Sequence, residues 1–280
     1  MKDVLNTVCN TLREKSYENF PMKEGDYYEG DILFCGECHT PKEMVLKEFF
    51  EGKKVRIPCE HIKALKEAER AKEEAAELAR YAEETRRKAF PSERMMQYRF
   101  ENDDGTNPKL TNALKTYAKD FRKYRDKGMG LLLYGSCGTG KTFSACQTAN
   151  ALIDAGYTVK FTTFSDIKAQ LLATYDKEEI YHALNSCHLL VIDDMGIEGN
   201  GNFTKETVYK VINDRYQLGR PMLITTNLSM DEMLKPNSEI DARIFDRVLE
   251  ICHPIKVEGA TKRIPKARER YKTMKAELGL

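Results

Sequence analysis

Residues 131–142 read Leu131-Leu132-Leu133-Tyr134-Gly135-Ser136-Cys137-Gly138-Thr139-Gly140-Lys141-Thr142. The apolar run at the front predicts a short buried strand. Gly135 to Thr142 then fits G-x-x-x-x-G-K-[ST], the spacing of a P-loop. Phe143, Ala145, Cys146, Ala149, Leu152 and Ile153 follow at helical spacing. Strand, glycine loop and helix in that order are the context that makes the motif meaningful. The glycines let the backbone amides of Gly135, Ser136, Cys137, Gly138, Thr139 and Gly140 curl around a phosphate with no Cβ in the way. The helix N-terminus adds partial positive charge at the same place. Lys141 then reaches the β- and γ-phosphates, and the Thr142 hydroxyl serves Mg²⁺. The expected ligand is ATP with Mg²⁺.

The second anchor is His188-Leu189-Leu190-Val191-Ile192-Asp193-Asp194. Its apolar residues fit a strand buried on both faces. The acids fall at the strand's end, on the ligand side of an open α/β sheet. Asp193 is expected to hold Mg²⁺ and Asp194 to orient and deprotonate the attacking water. A third strand, Met222 to Thr226, ends in Asn227, which is placed to position the same water. Ser229 with Glu232 supplies the next helix cap by itself. Between these strands lie Gly156, a β-branched run at 158–163, a helix capped by Ser165, and another opened by Asp176 with Glu179. That alternation predicts βαβ units and a parallel sheet. A helix is also expected over 108–125, and the polar turn at 100–105 either flanks the base or is an ordinary surface loop.

Downstream, Gly199 to Phe203 is a polar loop ending in one aromatic, which either stacks on a base or staples the helix that Thr204 caps. Arg243 and Arg247 share one helical face. They are either surface charges paired with Asp246 or Glu250, or one reaches a neighbouring subunit's γ-phosphate. Lys262 and Arg263 precede a basic helix over 266–275, which offers charge to phosphate groups.

The N-terminal ninety residues have a different character. Val4, Leu5, Val8, Cys9 and Leu12 predict a short amphipathic helix. Cys35-Gly36-Glu37-Cys38 and Cys59-Glu60-His61 follow, about twenty residues apart, a spacing that closes a tetrahedral Zn²⁺ site. Cys35, Cys38 and Cys59 are three ligands, and His61 is preferred over His39 as the fourth. Residues 62–88, rich in Ala, Glu, Lys and Arg without Gly or Pro, predict a long solvated helix that Pro91 ends.

Length and composition bound the rest. At 280 residues there is room for one large or two modest domains, and 32% charged against 41% apolar residues is a globular balance. A net charge of +1 means that any nucleic-acid contact comes from a local patch. No apolar run reaches membrane-spanning length, the first fifteen residues lack the apolar core of a leader, and the eight cysteines do not form a disulfide set. A cytoplasmic protein without a membrane partner is expected.

From about Phe100 to its end the chain resembles the DnaC/DnaI-type AAA+ helicase loaders, in the same broad family as the IstB ATPases of transposition. The resemblance rests on the P-loop, on Val191-Ile192-Asp193-Asp194-Met195-Gly196, on Ile224-Thr225-Thr226-Asn227, on Arg243-Ile244-Phe245-Asp246-Arg247 and on Thr261-Lys262-Arg263. It implies an α/β fold, an AAA+ parallel sheet flanked by helices over 91–280. It also implies a small N-terminal zinc-binding, helicase-binding domain with a connecting helix over 1–90. It implies Asn227 as sensor 1, Arg247 as the arginine finger and Arg263 as sensor 2. Implied partners are a DnaB-type hexameric helicase, single-stranded DNA and further copies of the chain. Most AAA+ proteins have glutamate where Asp194 stands, one methylene shorter, so slow hydrolysis is expected. Two other readings follow from the same residues: an IstB-like transposition ATPase on duplex DNA, and a zinc adaptor that binds ATP without useful hydrolysis.

Overall fold

A computed structural model describes residues 2–46, 52–196, 202–261 and 263–279, with the side chains at 2–9, 202–204, 263, 265, 266 and 269 outside that description. The chain divides into two compact units, Met1–Glu77 and Leu78–Leu280.

In the first unit α1 (Lys2–Asn19) precedes two short antiparallel pairs. These are β1 (Tyr27–Glu29) with β2 (Ile32–Phe34), and β3 (Glu43–Val45) with β4 (Lys54–Arg56). So small a unit buries little. Among its described residues Leu33 is the fully buried aliphatic one, and Cys35 and Cys59 are buried with it. Polar groups do much of the fastening. Glu43 Oε2 accepts from the Leu33 amide at 3.2 Å, and the Arg56 guanidinium lies 4.5 Å from the Tyr17 ring centre. The predicted long helix is α2 (Glu60–Ala89), and its Leu65, Leu78 and Tyr81 are exposed. Only its last turns are buried: Ala82, Arg86 and Ala89, within the second unit.

The second unit is built on five parallel strands. The elements run α3 (Glu93–Met96), α4 (Pro108–Lys119), α5 (Phe121–Arg125), β5 (Gly130–Tyr134), α6 (Lys141–Asp154), β6 (Val159–Thr162), α7 (Phe164–Ala173), α8 (Lys177–Ser186), β7 (Leu189–Met195), α9 (Asn202–Gln217), β8 (Met222–Thr226), α10 (Met230–Leu234), α11 (Glu239–Ile251), β9 (Cys252–Lys256) and α12 (Arg263–Glu277). The sheet order is β6-β7-β8-β5-β9. The chain leaves β5 for the far edge, returns strand by strand to β8, then crosses to β9 on the other side. That reversal puts a crevice at the carboxyl ends of the strands beside β5.

Side chains alternate between two helix-covered faces. Leu131, Leu133, Val191 and Leu223 pack with Leu114, Phe121, Ala149 and Leu152. Leu132, Leu190, Ile192 and Ile224 pack with Phe164, Ile167, Val211 and Val248 on the other side. This is why the strands read as continuous apolar runs.

Local details depart from the sequence expectation. The helix over 108–125 is broken at Asp120, giving α4 and α5. The cap of α7 is Thr163, whose hydroxyl accepts from the Asp166 amide, and Ser165 lies inside the helix. Asp176 and the Ser229–Glu232 capping box stand where expected. β9 carries no clear strand signal, because His253 and Pro254 interrupt it. Among the described residues no helix is long and apolar enough to cross a membrane.

Candidate nucleotide-binding site and cysteine cluster

The P-loop joins β5 to α6 at the crevice. Gly135, Gly138 and Gly140 have φ of 140°, 83° and 101°, a region that favours glycine. A Cβ on Gly135 would stand 2.6 Å from the Val257 carbonyl oxygen, and one on Gly138 would run into the Thr261 hydroxyl. Two of the glycines are therefore fixed by packing as well as by conformation. Thr139 braces the loop by donating to the Ser136 carbonyl at 3.0 Å. Cys137 is exposed on it.

Lys141 is buried, and its ammonium donates to the carbonyls of Gly135 and Ser136, each at 2.8 Å, and to Asn227 Oδ1 at 2.7 Å. Asn227 in turn donates from Nδ2 to Asp194 Oδ1 at 2.6 Å. Thr142 donates to Asp193 Oδ2 at 3.0 Å. The structure thus brings Lys141, Thr142, Asp193, Asp194 and Asn227 together, from three elements. Burial pushes the Asp193 carboxyl up, while hydrogen bonds from Thr225 and Thr142 pull it down; the net direction is upward. An anion in so buried a place is stabilised by a cation. The oxygens of Thr142 and Asp193 are hard donors of the kind that would hold Mg²⁺.

Arg247 lies on α11. Its Nε donates to Asn213 Oδ1 at 3.1 Å, and its guanidinium stands 4.9 Å and 5.7 Å from the ring centres of Tyr209 and Tyr216. Arg243 pairs with Glu239 one turn away, at 2.6 Å, rather than with Asp246 or Glu250. Arg247 is thus held between two tyrosines of α9. The side chain of Arg263 and the whole of Lys262 lie outside the described residues, as do the loop at 197–201 and the side chains of Phe203 and Thr204.

In the first unit the sulfurs of Cys35, Cys38 and Cys59 lie within 4.8 Å of one another. No disulfide joins them. Three thiols in mutual reach match the donor set of a tetrahedral Zn²⁺ site. The Thr40 hydroxyl, 3.0 Å from Cys38 Sγ, pulls that thiol down to about 6, with help from the His61 amide. Burial pushes Cys59 up. The imidazoles of His61 and His39 both stand outside the sulfur group. His61 Nδ1 pairs with Glu37 Oε2 at 2.6 Å, and His39 Nδ1 shares a hydrogen bond with Tyr27 at 3.1 Å.

Sequence reading overlooked two features. One is the hydroxyl pair Thr225–Thr226 at the end of β8; two polar residues closing a buried strand were the available signal. The other is the end of α7 and the turn after it, where Leu172 in the last turn of the helix is 68% exposed and Tyr175 beyond it fully so. No local pattern distinguishes these from core positions.

Comparison with known proteins agrees with this geometry. The family model described as IstB-like ATP binding protein matches residues 59–270. A Mycobacterium tuberculosis protein described as an ATP-binding protein in an insertion sequence is 28% identical over 210 residues, 73% of this chain and 80% of its own length. The replicative helicase loader DnaI of Bacillus subtilis is 28% identical over 56% of this chain, and the loader DnaC of Escherichia coli is 28% identical over 49%. The chain spans 53% and 57% of the length of those two loaders. Among solved structures, DnaI superposes with a TM-score of 0.52 at 20% identity, covering 62% of this chain and 95% of that one. The DnaC helicase loader superposes with a TM-score of 0.51 at 20% identity, covering 60% and 100%. At that identity the structural likeness is one of fold. The sequence match extends over most of the chain and contains every element of the phosphate site, and on it the chain is a member of the IstB-like ATP-binding protein family.

Proposed function

We propose that this protein is an ATP-dependent loader of a hexameric, DnaB-type replicative helicase onto single-stranded DNA, acting in the cytoplasm during replication initiation. The observation that carries the reading is one combination: a nucleotide site assembled from β5, β7 and β8, in a chain whose N-terminal unit holds three clustered thiols. In this reading Lys141 binds the β- and γ-phosphates, and Thr142 and Asp193 hold Mg²⁺. When bound, Mg²⁺ neutralises charge on the phosphates. Asp194 accepts a proton from the attacking water, which Asn227 orients. Arg247 completes the site of a neighbouring copy, and Arg263 contacts the phosphates from the α12 side. Cys35, Cys38, Cys59 and His61 hold Zn²⁺, which fastens the unit that grips the helicase. The exposed Tyr175 offers single-stranded DNA an aromatic face beside the exposed aliphatic Leu172, with Lys168 and Lys177 nearby in sequence. ATP acts chiefly by selecting which assembly is populated.

Capture of a replicative helicase by the full chain, with and without ATP, tests this. Co-purification that strengthens with ATP is expected; none in either condition ends the loader reading. A second reading is an IstB-like transposition ATPase on duplex DNA. It is favoured by one fact, the 80% coverage of the insertion-sequence relative against 53% and 57% for the loaders. Retention of duplex DNA, without helicase capture, would select it.

A further inference from the structure

Two adjacent residues of a regular strand point to opposite faces of a sheet. Asp193 and Asp194 do not: one meets Thr142 of α6 and the other meets Asn227, both in the same crevice. The ladder shows how. Ile192 pairs with Ile224, and the next pairing is Met195 with Thr226. Two residues of β7, the two acids, therefore oppose one residue of β8, Thr225. This is a β-bulge, a device that re-aims side chains. Asp194 takes a left-handed backbone, φ 60°, to complete it. A non-glycine residue keeps that conformation only where its surroundings hold it.

Thr225 is the residue in position to hold it. It is fully buried. Its hydroxyl donates to Asp193 Oδ1 at 2.6 Å and accepts from the Asp194 amide at 2.8 Å. One hydroxyl thus fixes a carboxylate rotamer and a backbone turn together. With Oδ1 engaged, Asp193 presents Oδ2 to Thr142. With its amide engaged, Asp194 presents its carboxylate to Asn227. The neighbouring Thr226 hydroxyl donates instead to the Met195 carbonyl at 2.6 Å and accepts from the Leu228 amide, touching no acid.

We propose that Thr225 is the positioning residue of the acid pair, holding Asp193 in the orientation that takes the divalent cation and Asp194 in the one that faces water. The proposal rests on the nucleotide-site reading above. The test uses the full chain, with Mn²⁺ as the probe ion read by electron paramagnetic resonance beside a non-hydrolysable ATP analogue. Nucleotide affinity in EDTA and melting temperature are measured alongside. Thr225→Val keeps the shape and removes the hydroxyl; Thr225→Ser keeps the hydroxyl; Thr226→Val removes a hydroxyl that only braces backbone.

Thr225→Val should weaken Mn²⁺ binding by about 10- to 100-fold while nucleotide affinity in EDTA stays at the wild-type value. Thr225→Ser should recover most of that loss. Thr226→Val should lower the melting temperature without a matching loss of Mn²⁺. Wild-type Mn²⁺ affinity in Thr225→Val, or an equal loss of nucleotide in EDTA, overturns the proposal and leaves the site reading intact. If Thr225→Val and Thr225→Ala both fail to fold while Thr225→Ser folds, the hydroxyl serves the fold alone and the proposal also falls. A wild-type chain that binds no nucleotide refutes the site reading, and this proposal with it.

Discussion

The Thr142 hydroxyl lies 3.0 Å from Asp193 Oδ2, across 51 positions of sequence. One residue opens the helix after the P-loop and the other closes a strand two places away in the sheet. Their meeting joins two separate motifs at the place proposed for the divalent cation.

Lys141→Ala should lower nucleotide affinity at least about 100-fold, because its ammonium is the loop's one cationic side chain and a hydrogen bond from it to phosphate would be charge-assisted. Gly138→Ala should do similar damage by another route. Its φ of 83° disfavours any side chain, and the added Cβ meets Thr261. Titration with a fluorescent ATP analogue checks both. Tight binding by Lys141→Ala would remove the lysine from the phosphate site.

Arg247→Ala should leave nucleotide binding intact and reduce ATP turnover by about 10³-fold. The decisive measurement is mixing. Equimolar Arg247→Ala and Asp194→Asn chains should regain activity, since the second donates its arginine to the intact site of the first. A mixture as dead as its components would place Arg247 in a purely internal role, between Tyr209, Asn213 and Tyr216.

Asp26 and Lys42 form a buried ion pair in the first unit, with 3% and 5% of their side chains exposed. Burial alone would raise the Asp26 carboxyl. Hydrogen bonds from the Lys23 amide, Lys42 and the Gly36 amide outweigh it and hold the group below its ordinary value of 3.8. A carboxyl depressed in the folded state contributes stability above 3.8 that is lost as pH falls through the folded value. Asp26→Asn should therefore cost the unit about 3 kcal/mol at neutral pH, and the difference should vanish in acid. Hydrogen exchange within residues 2–46, followed against pH, reads it. A gap that persists undiminished at about pH 2 would contradict the assignment.

Purified protein should carry about one Zn²⁺ per chain. Cys35→Ser should lose the metal and unfold the first unit, while nucleotide binding by the second unit survives. His61→Ala should weaken zinc retention more than His39→Ala does, and the reverse order would exchange the fourth ligand. Atomic absorption after dialysis measures both. Metal-free protein with a folded first unit would remove the site.

Much of this molecule could be read directly from its residues. The P-loop, the two acids after an apolar run and the asparagine after another are local signals, and the strands that carry them, β5, β7 and β8, are buried on both faces, so they open as apolar runs. The cysteine spacing is local as well. What sequence could not supply is anything that depends on which strands become neighbours. Strand order put β8 between β7 and β5, and so set Asn227 between Lys141 and Asp194. The break of α4 from α5 at Asp120 and the capping of α7 by Thr163 turned on competition between near-equal local choices. The bulge at Asp193 and Asp194 was hidden because an unbroken apolar strand ending in two acids reads the same with or without it. Chemistry was written in residue types along the chain; the aim of each side chain was decided by sheet register, which forms only when distant segments pair.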